Sequence, residues 1–173
     1  MKELYRDDGY RLLEYNPSLL KPLYKNFEPM GMVRRIRFLL EYLGRNHYRV
    51  FYLEKDGDLI GHCVVAPGGR RLKCSTSDDI VLGPYYIRKE ERGRGYSVKL
   101  IGMVLENTDY RYAFDWVEKK NIASCKASER CGFTKIGELN VSPFLRKLTI
   151  VEEGDDIIYR QCNQKHQELS CNL

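Results

Sequence analysis

The residues with the clearest chemical potential lie together: Tyr85-Tyr86-Ile87-Arg88-Lys89-Glu90-Glu91-Arg92-Gly93-Arg94-Gly95-Tyr96-Ser97. A strand-like run ending at Ile87 enters a loop with two glycines and three arginines, and a helical pattern starts at Tyr96. The first turn of a helix has N–H groups without intrahelical partners and a partial positive charge. Glycine lets the backbone take positive φ and come close to a ligand. A strand, a glycine loop and a helix start in that order make a site for phosphate or pyrophosphate. Two better-known phosphate loops do not fit. The chain has no G-x-x-x-x-G-K-[ST], and Val98 stands where a dinucleotide fingerprint needs its third glycine. The bland reading, a surface turn that merely uses glycine, competes with the anion site when the loop is taken alone. An Arg-Gly nucleic-acid motif fits less well, because the loop sits inside an α/β pattern and not in a tail.

Other reactive residues do not assemble into a motif. The six cysteines (Cys63, Cys74, Cys125, Cys131, Cys162, Cys171) contain no C-x-x-C pair, and the three histidines form no H-E-x-x-H. Zinc-ribbon, thioredoxin and zincin chemistry therefore lack support, and no metal is expected. The balance of 29 basic and 24 acidic residues, net +5, is too mild for a dedicated nucleic-acid binder but suits a small polyanion. With 43% hydrophobic and 12% aromatic residues the chain can build a core. No apolar run reaches membrane-spanning length. The segment Met1–Asp8 lacks the apolar stretch of a secretory leader, so the expectation is a cytoplasmic protein with free thiols and no membrane partner.

These residues need elements to position them. Tyr10–Tyr15 reads as a strand, residues 18–27 as a weak helix, and 32–43 as a stronger one with Val33, Ile36, Leu40 and Leu43 on one face. A hairpin follows: 47–55, the turn Asp56-Gly57, then 58–65. Residues 68–79 read as an exposed loop and 79–87 as a strand. A buried helix is expected over 96–107, a strand over 111–116, and a helix over 121–131 stopped by Gly132. Strands over 134–141, 144–152 and a last edge strand over 156–161 complete the order β-α-α-β-β-β-α-β-α-β-β, with a polar tail from 162. Pro84 is out of place in a central strand and calls for a bulge.

With these elements in place the loop resembles the acetyl-CoA signature of the GNAT superfamily of N-acetyltransferases, [QR]-x-x-G-x-[GA]. Arg92-Gly93-Arg94-Gly95-Tyr96-Ser97 matches it except at Ser97. A second segment, Asn121 to Phe133, resembles the family's N-x-x-[AS]…E-[KR]-x-G-F. The resemblance is strongest over 47–140. It implies a single acetyltransferase domain over 1–173 with an α/β (α+β) GNAT fold: a central mixed, mostly antiparallel sheet of about 6–7 strands, its fourth and fifth strands splayed, flanked by about four helices. It implies acetyl-CoA as cosubstrate. Tyr86 and Ile87 would pair with the pantetheine arm, and Arg92, Gly93, Arg94, Gly95, Tyr96 and Ser97 would hold the pyrophosphate. Asn121 and Ser124 would assist, and Arg88 and Lys89 are further phosphate candidates.

The resemblance further implies direct attack by an amine in a ternary complex. Candidate catalytic residues are Tyr85, Tyr86, Asp115 and Ser128. A backbone N–H near Tyr85 or Tyr86 would serve the oxyanion, and Asp115, Glu118 or His62 the base. Many relatives carry a tyrosine acid where this chain has Ser128, so Tyr85, Tyr86, Tyr112 or water are the substitutes. The acceptor is expected to be a small-molecule amine, an amino sugar or nucleotide-linked amino sugar, given Arg34, Arg35, Arg37 and Arg45 in the region that usually forms the acceptor wall. The alternatives are a protein or peptide acceptor and a degenerate acyl-CoA-binding domain. A homodimer is compatible with the family, and no nucleic acid is expected.

Overall fold

The computed structural model describes residues 1–18, 20–27, 36, 48–69, 72, 74–141 and 148–163. They form nine strands and two α-helices in the order β1 (Lys2–Asp7), β2 (Tyr10–Tyr15), β3 (Arg49–Lys55), β4 (Asp58–Pro67), β5 (Ile80–Ile87), a 3-10 turn (Lys89–Glu91), α1 (Tyr96–Glu106), β6 (Tyr112–Glu118), α2 (Ile122–Arg130), β7 (Thr134–Val141), β8 (Leu148–Val151) and β9 (Asp156–Cys162). The counts differ from the expected six to seven strands and four helices. The helix expected over 32–43 lies outside the described residues, as do Arg34, Arg35, Arg37, Arg45 and the tail beyond 163. The chain divides into two compact units: Met1–Ala66 with Pro84–Asn107, and Pro67–Gly83 with Thr108–Leu173. Strand β5 runs from the second into the first at Gly83–Pro84.

The first unit is a meander. β1 and β2 join through Asp8-Gly9, and β3 and β4 through Asp56-Gly57. Both turns have positive φ at both residues (37° and 79°, 50° and 89°), the geometry that matches strand twist in a two-residue hairpin. The first of these hairpins was missed, although Asp8-Gly9 carries the same signal as Asp56-Gly57. β2 pairs antiparallel with β3 from Tyr10–Lys55 to Tyr15–Val50. Alternation then sorts the side chains. Leu13, Val50, Tyr52 and Val64 enter one core cluster, which Leu23 and Tyr48 complete. Leu12, Phe51 and Leu53 point to the opposite face, and α1 lies against β2 and β3 with Leu100, Ile101 and Val104 buried.

The expected helix over 18–27 is replaced by irregular chain with one isolated bridge, Ser18–Lys21. Pro22 removes a helical N–H, and the segment is tied down by side chains instead. Tyr15 and Tyr48 hydroxyls donate to the Lys21 and Pro22 carbonyls (2.6 and 3.2 Å), and the Tyr52 hydroxyl bonds both Lys25 backbone groups.

In the second unit the strand order is β5-β6-β9-β7-β8. β5 pairs parallel with β6 at Ile80–Ala113 and Val81–Phe114; the β6–β9, β9–β7 and β7–β8 ladders are antiparallel. The segment expected as a final edge strand, 156–161, is therefore interior: β9 sits between β6 and β7. Its alternating Ile158 and Tyr159 are buried on opposite faces, which suits a position between two neighbours. The loop 68–79 is not simply exposed either. Leu72 joins the core with Val81, Phe114, Leu139, Leu148 and Ile158. Fully buried Asp79 accepts from the Thr76 and Tyr112 backbone N–H groups at 2.7 and 3.1 Å.

Gly61 on β4 sets how closely β5 approaches. A Cβ there would lie 2.5 Å from Ile87 Cδ1 and 2.8 Å from the Tyr86 carbonyl oxygen. Gly61→Ala is expected to destabilise by about 1–3 kcal/mol through overpacking, measured by urea unfolding. An unchanged midpoint would contradict the tight β4–β5 fit.

Candidate functional site

In the first unit the glycine loop is shaped by torsions only glycine adopts cheaply. Gly93 and Gly95 take φ 78° and 79°, and no atom lies within 4 Å of where a Cβ would be at either. Gly95 is the N-cap of α1 and offers no capping side chain. The first helical bond runs from the Lys99 N–H to the Gly95 carbonyl at 3.1 Å, so the Tyr96 and Ser97 N–H groups lie ahead of the ladder. An open glycine turn and an uncapped helix start fit the pyrophosphate of acetyl-CoA.

The arginines divide the labour. Arg92 Nε donates to the Ile87 carbonyl at 3.0 Å, and its guanidinium lies 4.9 Å over the Tyr86 ring. Its own N–H is engaged with the Lys89 carbonyl at 3.3 Å, so Arg92 acts as a strut between strand and loop. Arg94 is exposed and ion-paired with Glu91 at 3.1 Å, and half-buried Arg88 lies 3.7 Å from Glu90. Tyr96 accepts from the Tyr10 hydroxyl at 3.3 Å; that bond and Lys55 lower its pKa. Upstream, Gly83 at φ 102° interrupts the pleat just before exposed Pro84. Tyr85 and Tyr86 are half-buried and Ile87 is buried. Buried His62 stacks near Phe27 and Tyr86, at 5.6 and 6.2 Å between ring centroids. This aromatic cluster was not foreseen. Its only sequence signal was the alternation that put Tyr52 and His62 opposite one another on β3 and β4.

In the second unit Asp115 and Ser128 are brought together. Both are buried, and the Ser128 hydroxyl lies 2.6 Å from Asp115 Oδ2 and 3.0 Å from the Ser124 carbonyl. One hydroxyl proton serves one acceptor at a time. When Asp115 is ionised it takes that proton's bond, and when it is protonated it can donate to Ser128 and turn the hydroxyl towards Ser124. Burial pushes Asp115 up from 3.8 to about 7, against the opposing pull of the Ser128 hydroxyl and the Trp116 N–H. Asn121 caps α2, its Oδ1 accepting from the Ser124 N–H at 3.2 Å. Glu118 is exposed beside Lys120, Tyr112 lies under Arg111 and Arg160, and Trp116 packs on the core. Among the described residues no cluster of three His, Cys, Asp or Glu side chains could hold a metal ion, and no helix is long and apolar enough to cross a membrane.

The Acetyltransferase (GNAT) family profile matches residues 13–133, and the chain belongs to this family. Solved structures share the fold. An N-acetyltransferase from Staphylococcus aureus Mu50 is 19% identical, over 88% of this chain and 99% of that one, with a TM-score of 0.56. The microcin C7 self-immunity acetyltransferase in complex with acetyl-CoA and AMP is 15% identical, over 90% and 93%, at 0.57. A spermidine N-acetyltransferase from Vibrio cholerae in complex with CoA and spermine is 16% identical, over 90% and 98%, at 0.57. No curated protein matches the sequence. The fold is thus the GNAT fold on a mixed sheet, and the chain is an acetyltransferase of this family; the microcin C7 neighbour holds acetyl-CoA.

The Asp115 shift has a definite sign. The folded chain keeps a proton between pH 4 and 7 that the unfolded chain releases. The stability it contributes is full below about pH 4 and lost as pH rises through about 7. Asp115→Asn is expected to shrink the stability difference between pH 5 and pH 8 by about 2–3 kcal/mol, read by urea unfolding at both pH values. Identical pH dependence in the two proteins would show that Asp115 titrates normally.

Proposed function

We propose that the chain transfers the acetyl group of acetyl-CoA to a primary amine of a small molecule, an amino sugar or a nucleotide-linked amino sugar, by direct attack in a ternary complex. The observation that carries this reading is the open turn at Gly93 and Gly95 leading into the uncapped start of α1. Acetyl-CoA supplies the activated acyl group. The N–H groups of the 93–97 turn would bind its pyrophosphate, with Arg94 as an exposed countercharge. The β5 backbone at Tyr86 and Ile87 would pair with the pantetheine arm as an added strand, and Asn121 and Ser124 would assist. A backbone N–H at Tyr85 or Tyr86 would stabilise the developing oxyanion. Holding both reactants in line supplies a large share of the rate.

Ser128 cannot act as an exposed acid while it is sealed against Asp115, so the thiolate's proton would come from water or from a tyrosine on β5.

Titration with acetyl-CoA is expected to raise Tm, equivalent to about 2.7 kcal/mol at 100 times Kd. Free thiol should then appear with an amino-sugar acceptor. Gly95→Ala strains the left-handed N-cap and is expected to weaken acetyl-CoA binding about tenfold, roughly 1.4 kcal/mol. Stabilisation without thiol release across an amine panel would reject the small-molecule amine acceptor. No stabilisation would reject the cofactor assignment.

A further inference from the structure

The first unit carries a continuous run of aromatic rings. Neighbouring centroids are 6.0 Å apart for Tyr15–Tyr24, 6.4 Å for Tyr24–Tyr52, 5.9 Å for Tyr52–His62, 5.6 Å for His62–Phe27 and 5.9 Å for Phe27–Tyr86. Tyr52 and His62 are buried and form the floor. Phe27 and Tyr86 are half-buried and Tyr24 is 46% exposed, so these three form the rim. The irregular segment that supplies Tyr24 and Phe27 is held by tyrosine hydroxyls on its carbonyls and on the Lys25 N–H. A run of chain that forms no helix is thereby fixed with Tyr24 exposed and Phe27 packed on the buried rings.

Three cations lie over the same rim. Lys21 Nζ is 4.3 Å from the Tyr24 centroid, Lys25 Nζ 5.8 Å from Phe27, and the Arg92 guanidinium 4.9 Å from Tyr86. Among the described residues none of the three pairs with a carboxylate, whereas Arg88, Arg94 and Lys55 each lie within 4.0 Å of a glutamate. The rim therefore combines π-faces with positive charge that no carboxylate among the described residues pairs. The ring spacings leave no slot as thick as a ring, so a planar ligand would lie along the outer faces. A polyamine would meet like charge at Tyr24, Phe27 and Tyr86 alike.

We propose that Tyr24, Phe27 and Tyr86, with Lys21, Lys25 and Arg92, form the acceptor-recognition surface, and that it selects amines carrying a planar ring and a negative charge over polycationic amines. This rests on the acetyltransferase reading above, which puts the acyl group beside Tyr86. The rings supply stacking and the cations supply the field, so neither an uncharged ring nor an aliphatic anion engages both.

The surface can be tested without turnover. The full chain is saturated with CoA, so that no probe is scored for binding the cofactor site, and titrated calorimetrically with phenyl phosphate, methyl phosphate and spermidine. Phenyl phosphate is expected to bind at least tenfold more tightly than the other two. Phe27→Ala should weaken it about tenfold, Phe27→Tyr should restore it, and added salt should weaken it. The surface variant Lys21→Glu/Lys25→Glu, which leaves the rings and core intact, should reverse the preference towards spermidine. Equal or tighter spermidine binding to the unmodified chain, or phenyl phosphate affinity that ignores both Phe27→Ala and the charge reversal, would overturn the proposal. A parallel acetyl-CoA titration separates the two ideas. Phenyl phosphate binding without acetyl-CoA binding leaves the surface and rejects the transferase, and the reverse result rejects the surface alone.

Discussion

A helix cannot satisfy its own first N–H groups, and in this chain that demand is left open at Tyr96 and Ser97 instead of being capped. Every feature around the turn keeps it open. Gly95 takes the cap position in a left-handed conformation and offers no side-chain oxygen. Gly93 adds a second positive φ, and both glycines face empty space. Arg92 bonds back to the Ile87 carbonyl, so the end of β5 and the turn are one rigid piece. An Asp or Ser at position 95 would stabilise the isolated helix better. It would also fill the place that a pyrophosphate needs.

Upstream, the same logic acts on the strand. A strand that pairs fully on both sides has no backbone groups to spare. Gly83 breaks the pleat, Pro84 has no N–H to lend to a ladder, and the parallel pairing with β6 comprises two residue pairs among the described residues. On the other side Gly61 admits Ile87 and the Tyr86 carbonyl to distances no side chain would allow.

The buried Asp115–Ser128 pair shows how burial acts on a hydroxyl whose place spacing alone had singled out. The small hydroxyl is sealed against a carboxyl that burial holds protonated into the neutral range. Its spacing in the sequence marked the position, but spacing says nothing of burial. The aromatic run shows the same limit from the other side. Tyr15, Tyr24, Phe27, Tyr52, His62 and Tyr86 are scattered along the chain, and only strand register and the tyrosine anchors on residues 21–25 bring them into line.

What the sequence determined by itself was whatever depends on neighbours in the chain. The Asp56-Gly57 turn, the two helices, the second with its Gly132 stop, β7 to the residue, and the glycine loop all follow from local torsions and periodicity. Asp8-Gly9 was equally legible and was passed over. Tertiary structure decided the rest. Residues 18–27 lost their helix because Pro22 and three tyrosine hydroxyls outweigh a weak propensity. β9 became an interior strand because β6 and β7 take up the backbone hydrogen bonds along its two edges. Asp115 acquired its altered acidity because packing removed it from water. Helix propensity, strand pairing partner and dielectric environment are set by what lies across space, and a list of neighbours along the chain does not contain that information.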